Sequence, residues 1–173
     1  MEKKVTSHIT KGLIIALVFI ILDLVAVFTD WRLHNWYGIV TGLLMLGAFI
    51  WACISYANEM NNAVTFGNVF VHGFKASAVV AVFMFVYALL LVNFISPGLI
   101  DAIIEKSIEE AQKDGKFNSD ISDEDMERGM ELGRKIGKIG FYAGSLLMTL
   151  VIGAIGSVLG AAFAKKTPPT PFS

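Results

Sequence analysis

Four uncharged or nearly uncharged runs, at residues 12 to 29, 36 to 57, 76 to 95 and 139 to 164, set the hydrophobic pattern of the chain. Each is roughly long enough to cross a hydrocarbon core about 30 Å thick as a helix rising about 1.5 Å per residue. Lys3, Lys4 and Lys11 precede the first run as in a secretory signal, but Asp23 interrupts it and no small-x-small site follows before Trp31. It therefore reads as a retained, slightly short first helix. The second run opens with Trp36 and Tyr37, which with Trp31 form an aromatic belt at one interface, so residues 29 to 35 are expected to make a tight turn.

The third helix is expected to start at Phe66, capped by the Thr65 hydroxyl, and to run to Ile95, with its span at about 70 to 95. That length exceeds one crossing, so the helix must tilt or project. In its first turns Asn68, His72 and Lys75 share one face and Phe66, Phe70 and Phe74 another. The simplest reading is an interfacial segment in which Lys75 snorkels its ammonium outward. Ser96 and Pro97 then signal a new helix with an apolar stripe of Leu99, Ile100, Ile103, Ile104 and Ile108 opposite Asp101, Glu105, Lys106, Glu109 and Glu110. It is expected to end near Asp114 and Gly115. Ser122 and Asp125 fit a capping box for a last helix that continues from Asp123 to Ala164, first in water and then through the membrane.

The predicted architecture is thus all-α: a single integral membrane domain, residues 1 to 173, built as a four-helix transmembrane bundle with an extramembrane helical hairpin at 96 to 138. Composition agrees, with 55% hydrophobic and 17% charged residues against roughly 25% charged in soluble domains. A net charge of -1 argues against nucleic acid as a partner, which requires a basic face. With N-terminus and C-terminus in the cytoplasm, six lysines (Lys3, Lys4, Lys11, Lys75, Lys165, Lys166) lie inside and eight basic residues outside. The N-in arrangement is still preferred, because the flanks of the first helix carry three lysines against Arg32.

Eight of the sixteen glycines fall on the last helix: Gly129, Gly133, Gly137, Gly140, Gly144, Gly153, Gly156 and Gly160. Small residues spaced by three or four positions let membrane helices approach closely. The stripe is expected to pack inside the bundle, with self-association or docking on another membrane protein as the alternative use.

Chemistry is sparser. Asp23 within the first span, with Asn68, His72 and Lys75, forms a candidate polar pathway, since ionisable groups at membrane depth often mark one. Chain count places Asp23 and Lys75 at different depths, which makes an ion pair between them doubtful. Asp114, Lys116, Asn118 and Asp120 alternate like calcium ligands, but a lysine stands where an oxygen is needed and the turn glycine is missing. His8, His34 and His72 are too dispersed for a metal cluster or a catalytic pair, and the lone Cys53 lies in the second span. No cofactor, metal or enzymatic activity is expected.

The stretch TFGNVFVHGFKASAVVAVFMFVYALLLVNFISPGLID, followed by VIGAIGSVLGAAFAKK, resembles the bacterial membrane family catalogued as domain of unknown function 4199. The resemblance covers most of the chain and carries packing motifs, with no catalytic residues to transfer. It implies an inner-membrane location and suggests a polyprenyl-phosphate glycosyltransferase as a partner. Besides membrane lipid, the expected partner is another membrane protein or a second copy of the chain. The expected function is a non-enzymatic accessory or scaffold subunit using the glycine stripe and the 96 to 138 hairpin. The alternative is a small transporter or flippase for a lipid-linked substrate, using Asp23 and the Asn68, His72 and Lys75 face.

Overall fold

A computed structural model describes residues 5–113 and 123–166. Among the described residues every regular element is helical: α1 His8–Phe28, α2 Asn35–Glu59, α3 Phe66–Leu90, α4 Leu99–Lys113 and α5 Asp123–Phe163. Four of these helices are long and apolar enough to cross a membrane: α1, α2, α3 with its extension to Ile95, and Glu127–Phe163 of α5. The chain is thus a multi-pass membrane protein by the length and composition of its helices. The calcium-like stretch, the end expected near Asp114 and Gly115 and the Ser122 cap lie outside the described residues.

Local chemistry explains where the helices begin and end. Ser7 caps α1 by accepting from the Thr10 amide at 3.1 Å, and Thr65 caps α3 through the Asn68 amide at 3.2 Å, as its hydroxyl predicts. The turn between α1 and α2 is one short 3-10 helix, Trp31–Leu33, opened by Asp30 at φ 58°. Between α2 and α3 the chain reverses through Asn61 and Asn62, at φ 52° and 62°. Asparagine tolerates this left-handed region better than other side chains except glycine.

The end of α3 departs from expectation. Residues Leu91–Ile95 form one wide π turn, closed by the Ser96 amide on the Leu91 carbonyl at 2.7 Å. Ser96 is thereby committed to finishing α3, and its own carbonyl accepts from the Leu99 amide at 3.0 Å. The following helix consequently begins at Leu99, two to three residues beyond the Ser96 and Pro97 start signal.

α3 is the central element, touching α1, α2 and α5. It runs parallel to α1 in a fixed register: His72 meets His8, Ala76 meets Gly12 and Tyr87 meets Asp23. It runs antiparallel to α5, which lies parallel to α2, with Gly156 against Leu46 and Gly160 against Ile50 and Cys53. The middle of the bundle is an apolar layer of Ile15, Ala16, Phe19, Met45, Phe49, Ala52 and Val80. Buried small residues, including Cys53, Ala57, Val69 and Ala161, fill one end. At the other end Tyr87, Leu91 and Leu99 pack with Phe141, and α4 lies against α5.

Candidate functional site

The site is built around Asp23, which lies on α1 only 6% exposed. A carboxylate so placed survives only where its lone pairs are satisfied. Its Oδ1 accepts from the Tyr37 hydroxyl at 2.9 Å and from the Arg32 guanidinium. Its Oδ2 accepts from the Tyr87 hydroxyl at 2.9 Å. Arg32 comes from the 3-10 turn, Tyr37 from the first turn of α2 and Tyr87 from the last turn of α3, so one acid ties three elements to α1. The guanidinium also lies over the Phe141 ring of α5, 5.0 Å from its centre. Burial draws the Arg32 pKa below its ordinary value, with the neighbouring phenols opposing the shift.

This network forms one wall of an open cavity of about 460 Å³ bordered by α1, α2, α3, α4 and α5. The volume is within the range of about 300 to 1,000 Å³ common for small-molecule sites. Toward the apolar middle layer it is lined by Phe19, Met45, Met84 and Ile152, with the exposed Met148 also at its wall. Its outer part is polar, with Arg32 and Lys106 as cations and Asp23 and Glu110 as anions. The Lys106 amine donates to the Leu33 carbonyl, and Glu110 accepts from the Asn35 amide at 3.3 Å. Arg32 makes one side-chain hydrogen bond among the described residues, to Asp23, and lines the cavity. The arrangement suits an amphiphile: charged groups at one end and a methionine-rich, deformable apolar wall at the other.

The four residues of the candidate polar pathway are not brought together. Asn68, His72 and Lys75 do share a hollow, with His8 and Tyr56, but at the opposite end of the α1 and α3 pair from Asp23. The apolar middle layer separates the two ends. At that second end Lys11, only 1% exposed, pairs with Glu59 at 3.1 Å. Glu59 also accepts from the Thr6 amide at 2.7 Å and the Ser55 hydroxyl at 2.9 Å. The Tyr56 ring stacks on His72 with centres 4.0 Å apart.

The glycine stripe divides. Gly153, Gly156 and Gly160 face side chains of α3 and α2, where a Cβ at Gly160 would come within 2.6 Å of the Cys53 Cβ. Gly133 and Gly137 face Ile104 and Ile100 of α4, whereas Gly129, Gly140 and Gly144 face open space among the described residues.

Sequence reasoning missed Arg32, Tyr37, Tyr87, Lys11 and Glu59 as members of polar networks. The available signal was the cost of an uncompensated acid in a membrane span, which obliges a partner, and Arg32 is the nearest cation after Asp23 in the chain. Tyr37, expected in the interfacial belt, instead turns its hydroxyl onto Asp23.

A protein family described as "Protein of unknown function (DUF4199)" matches residues 10–166, nearly the whole helical assembly. The chain belongs to this family. No match exists among curated proteins or among solved structures. Membership in the DUF4199 family therefore establishes kinship without bringing an activity, and function rests on the geometry above.

Proposed function

We propose that this protein binds an amphiphile in the bacterial inner membrane, with the ligand's anionic head against Arg32 and Lys106 and its apolar chain in the cavity, and does no covalent chemistry itself. The observation that carries the reading is the cavity's polarity gradient, from a charged, hydrogen-bonding end that holds Arg32 and Lys106 beside Asp23 and Glu110 to a methionine-lined apolar part. This is the lipid-linked-substrate reading without conduction, because the apolar middle layer stands between the two polar ends. N-in and C-in orientation is preferred on the flanks of the first helix, three lysines against Arg32, although six basic residues then lie inside against eight outside. It puts the cavity mouth, α4 and the start of α5 on the outer side, with the 96 to 138 segment as an extramembrane hairpin.

Native mass spectrometry of the full chain, extracted in a mild detergent, tests the reading. A lipid adduct should accompany the wild type and be depleted in Gly42→Leu. Gly42 lines the cavity, and a Cβ there meets only the tip of Ile152 at 3.9 Å, so a larger side chain occupies the space without striking backbone. Equal adducts in a folded Gly42→Leu protein would refute it.

A second reading, an accessory subunit docking on another membrane protein such as a polyprenyl-phosphate glycosyltransferase, is favoured by Gly140 and Gly144, whose open face leaves room for a close helix. Gly144→Leu should abolish copurification of a stoichiometric partner while leaving the lipid adduct in place.

A further inference from the structure

We propose that the hollow at the lysine-rich end, bordered by His8, Tyr56, Asn68, His72 and Lys75, is a second binding site, for a phosphate group. Its ligand is separate from that of the Asp23 cavity. The central observation is His72, which is 8% exposed, lines the hollow and leaves its Nε2 without a hydrogen-bond partner. Buried polar atoms in folded proteins are nearly always satisfied, so an orphan at the wall of a hollow marks the place of a missing partner. Tyr56 stacks flat on the imidazole and His8 meets it edge-on at 6.0 Å, which holds the ring in place at the border of the hollow.

Charge selects the missing partner. Lys11 is neutralised by Glu59, whereas Lys75 is exposed, borders the hollow and forms no ion pair among the described residues. The Asn68 side chain, one helical turn before His72, adds an amide donor. Lys166 lies over the Phe66 ring at 5.5 Å and brings a further positive charge to the same end of α3. A group that accepts from an imidazole N–H, an amide and an ammonium together is a compact anion with several oxygens.

Depth favours phosphate. The His8 and His72 pair lies one turn before the apolar runs that begin at Gly12 on α1 and at Ala76 on α3. Phe66, Phe70 and Phe74 stack along the neighbouring face of α3 at centre distances of 6.5 and 5.9 Å, as an interfacial anchor. The hollow therefore sits at headgroup level, where lipid phosphates are concentrated. The same chemistry would also accept free phosphate.

The two sources separate in one experiment. Full-length protein labelled with 15N-histidine, in dodecyl maltoside micelles, is titrated with inorganic phosphate and separately with dihexanoyl phosphatidic acid. The His72 Nε2 resonance is followed by long-range 1H–15N correlation. A saturable His72 shift with both probes shows that the phosphate group suffices, and a shift with the lipid alone shows that the headgroup is recognised in its membrane-bound form. Lys75→Ala, an exposed change, should weaken binding about tenfold by removing one charge-assisted contact, and Lys75→Arg should retain it. His34 lines the other cavity, so its resonance reports binding there separately from the hollow. The proposal is overturned if neither probe moves His72, if the only shift is at His34, or if Lys75→Ala binds as tightly as wild type.

Discussion

Asp23 accepts three hydrogen bonds within the bundle, one of them from a cation. Removing one partner of a buried ion pair strands the other charge, whereas removing both leaves only a packing change. Asp23→Ala should therefore destabilise the folded protein by about 3 kcal/mol, and the Asp23→Ala, Arg32→Met double variant should recover most of that loss in a denaturant titration. Additive losses would show that the pair is not coupled. Tyr87→Phe, which deletes a single donor to the carboxylate, should cost about 2 kcal/mol. The need for a partner was legible in the sequence, because an acid stood in an apolar run. The partner's identity was only half legible: Arg32 is nine residues away around a turn and Tyr87 is 64 residues away on another helix, distances over which no local periodicity operates.

Among the elements, α5 shows how a repeated residue can serve different ends along one helix. Gly160 is fixed by the approach of Cys53 and Ile50, so Gly160→Leu should overpack the contact and cost about 3 kcal/mol or prevent folding. Gly140→Leu, which meets open space, should leave thermal stability within about 0.5 kcal/mol of wild type. A matched loss at both positions would contradict the division of the stripe described above. The four long apolar helices and the Thr65 cap were readable because they depend on composition and local hydrogen bonding. The π turn at Leu91–Ile95 was not, since those residues read as ordinary apolar helix and the widening shows only in how Ser96 closes back on Leu91. Asn61 and Asn62 registered as amides in a polar segment, but their left-handed conformation follows from the reversal they make between two packed helices.

For the whole molecule, chemistry is gathered at the two ends and withdrawn from the middle. Under the proposed orientation, a membrane-impermeant maleimide applied to intact cells should label Glu109→Cys and leave Lys165→Cys unlabelled. Cys53 is buried and should give little background. The opposite pattern would invert the orientation and move the Asp23 cavity to the cytoplasmic side. The sequence set out which helices exist and roughly where they turn. Chain count already set Asp23 and Lys75 at different depths, but it did not disclose that α1 and α3 run side by side in one register, which puts Asp23 and the His72 face about 15 residues apart along the pair.

That register bears on how α1 is set in the bilayer. The helix is apolar around its whole circumference, with Leu13, Leu17 and Ile21 exposed and Ile15, Ala16 and Phe19 buried, so hydrophobicity alone gives it almost no preferred rotation. The preference comes from two ion pairs whose α1 members are buried, Lys11 with Glu59 near its start and Asp23 with Arg32 near its end. A slip of one residue turns the helix by about 100° and would carry both charges toward lipid at once. The two pairs thus act as a key and its ward, admitting α1 at a single angle and a single depth.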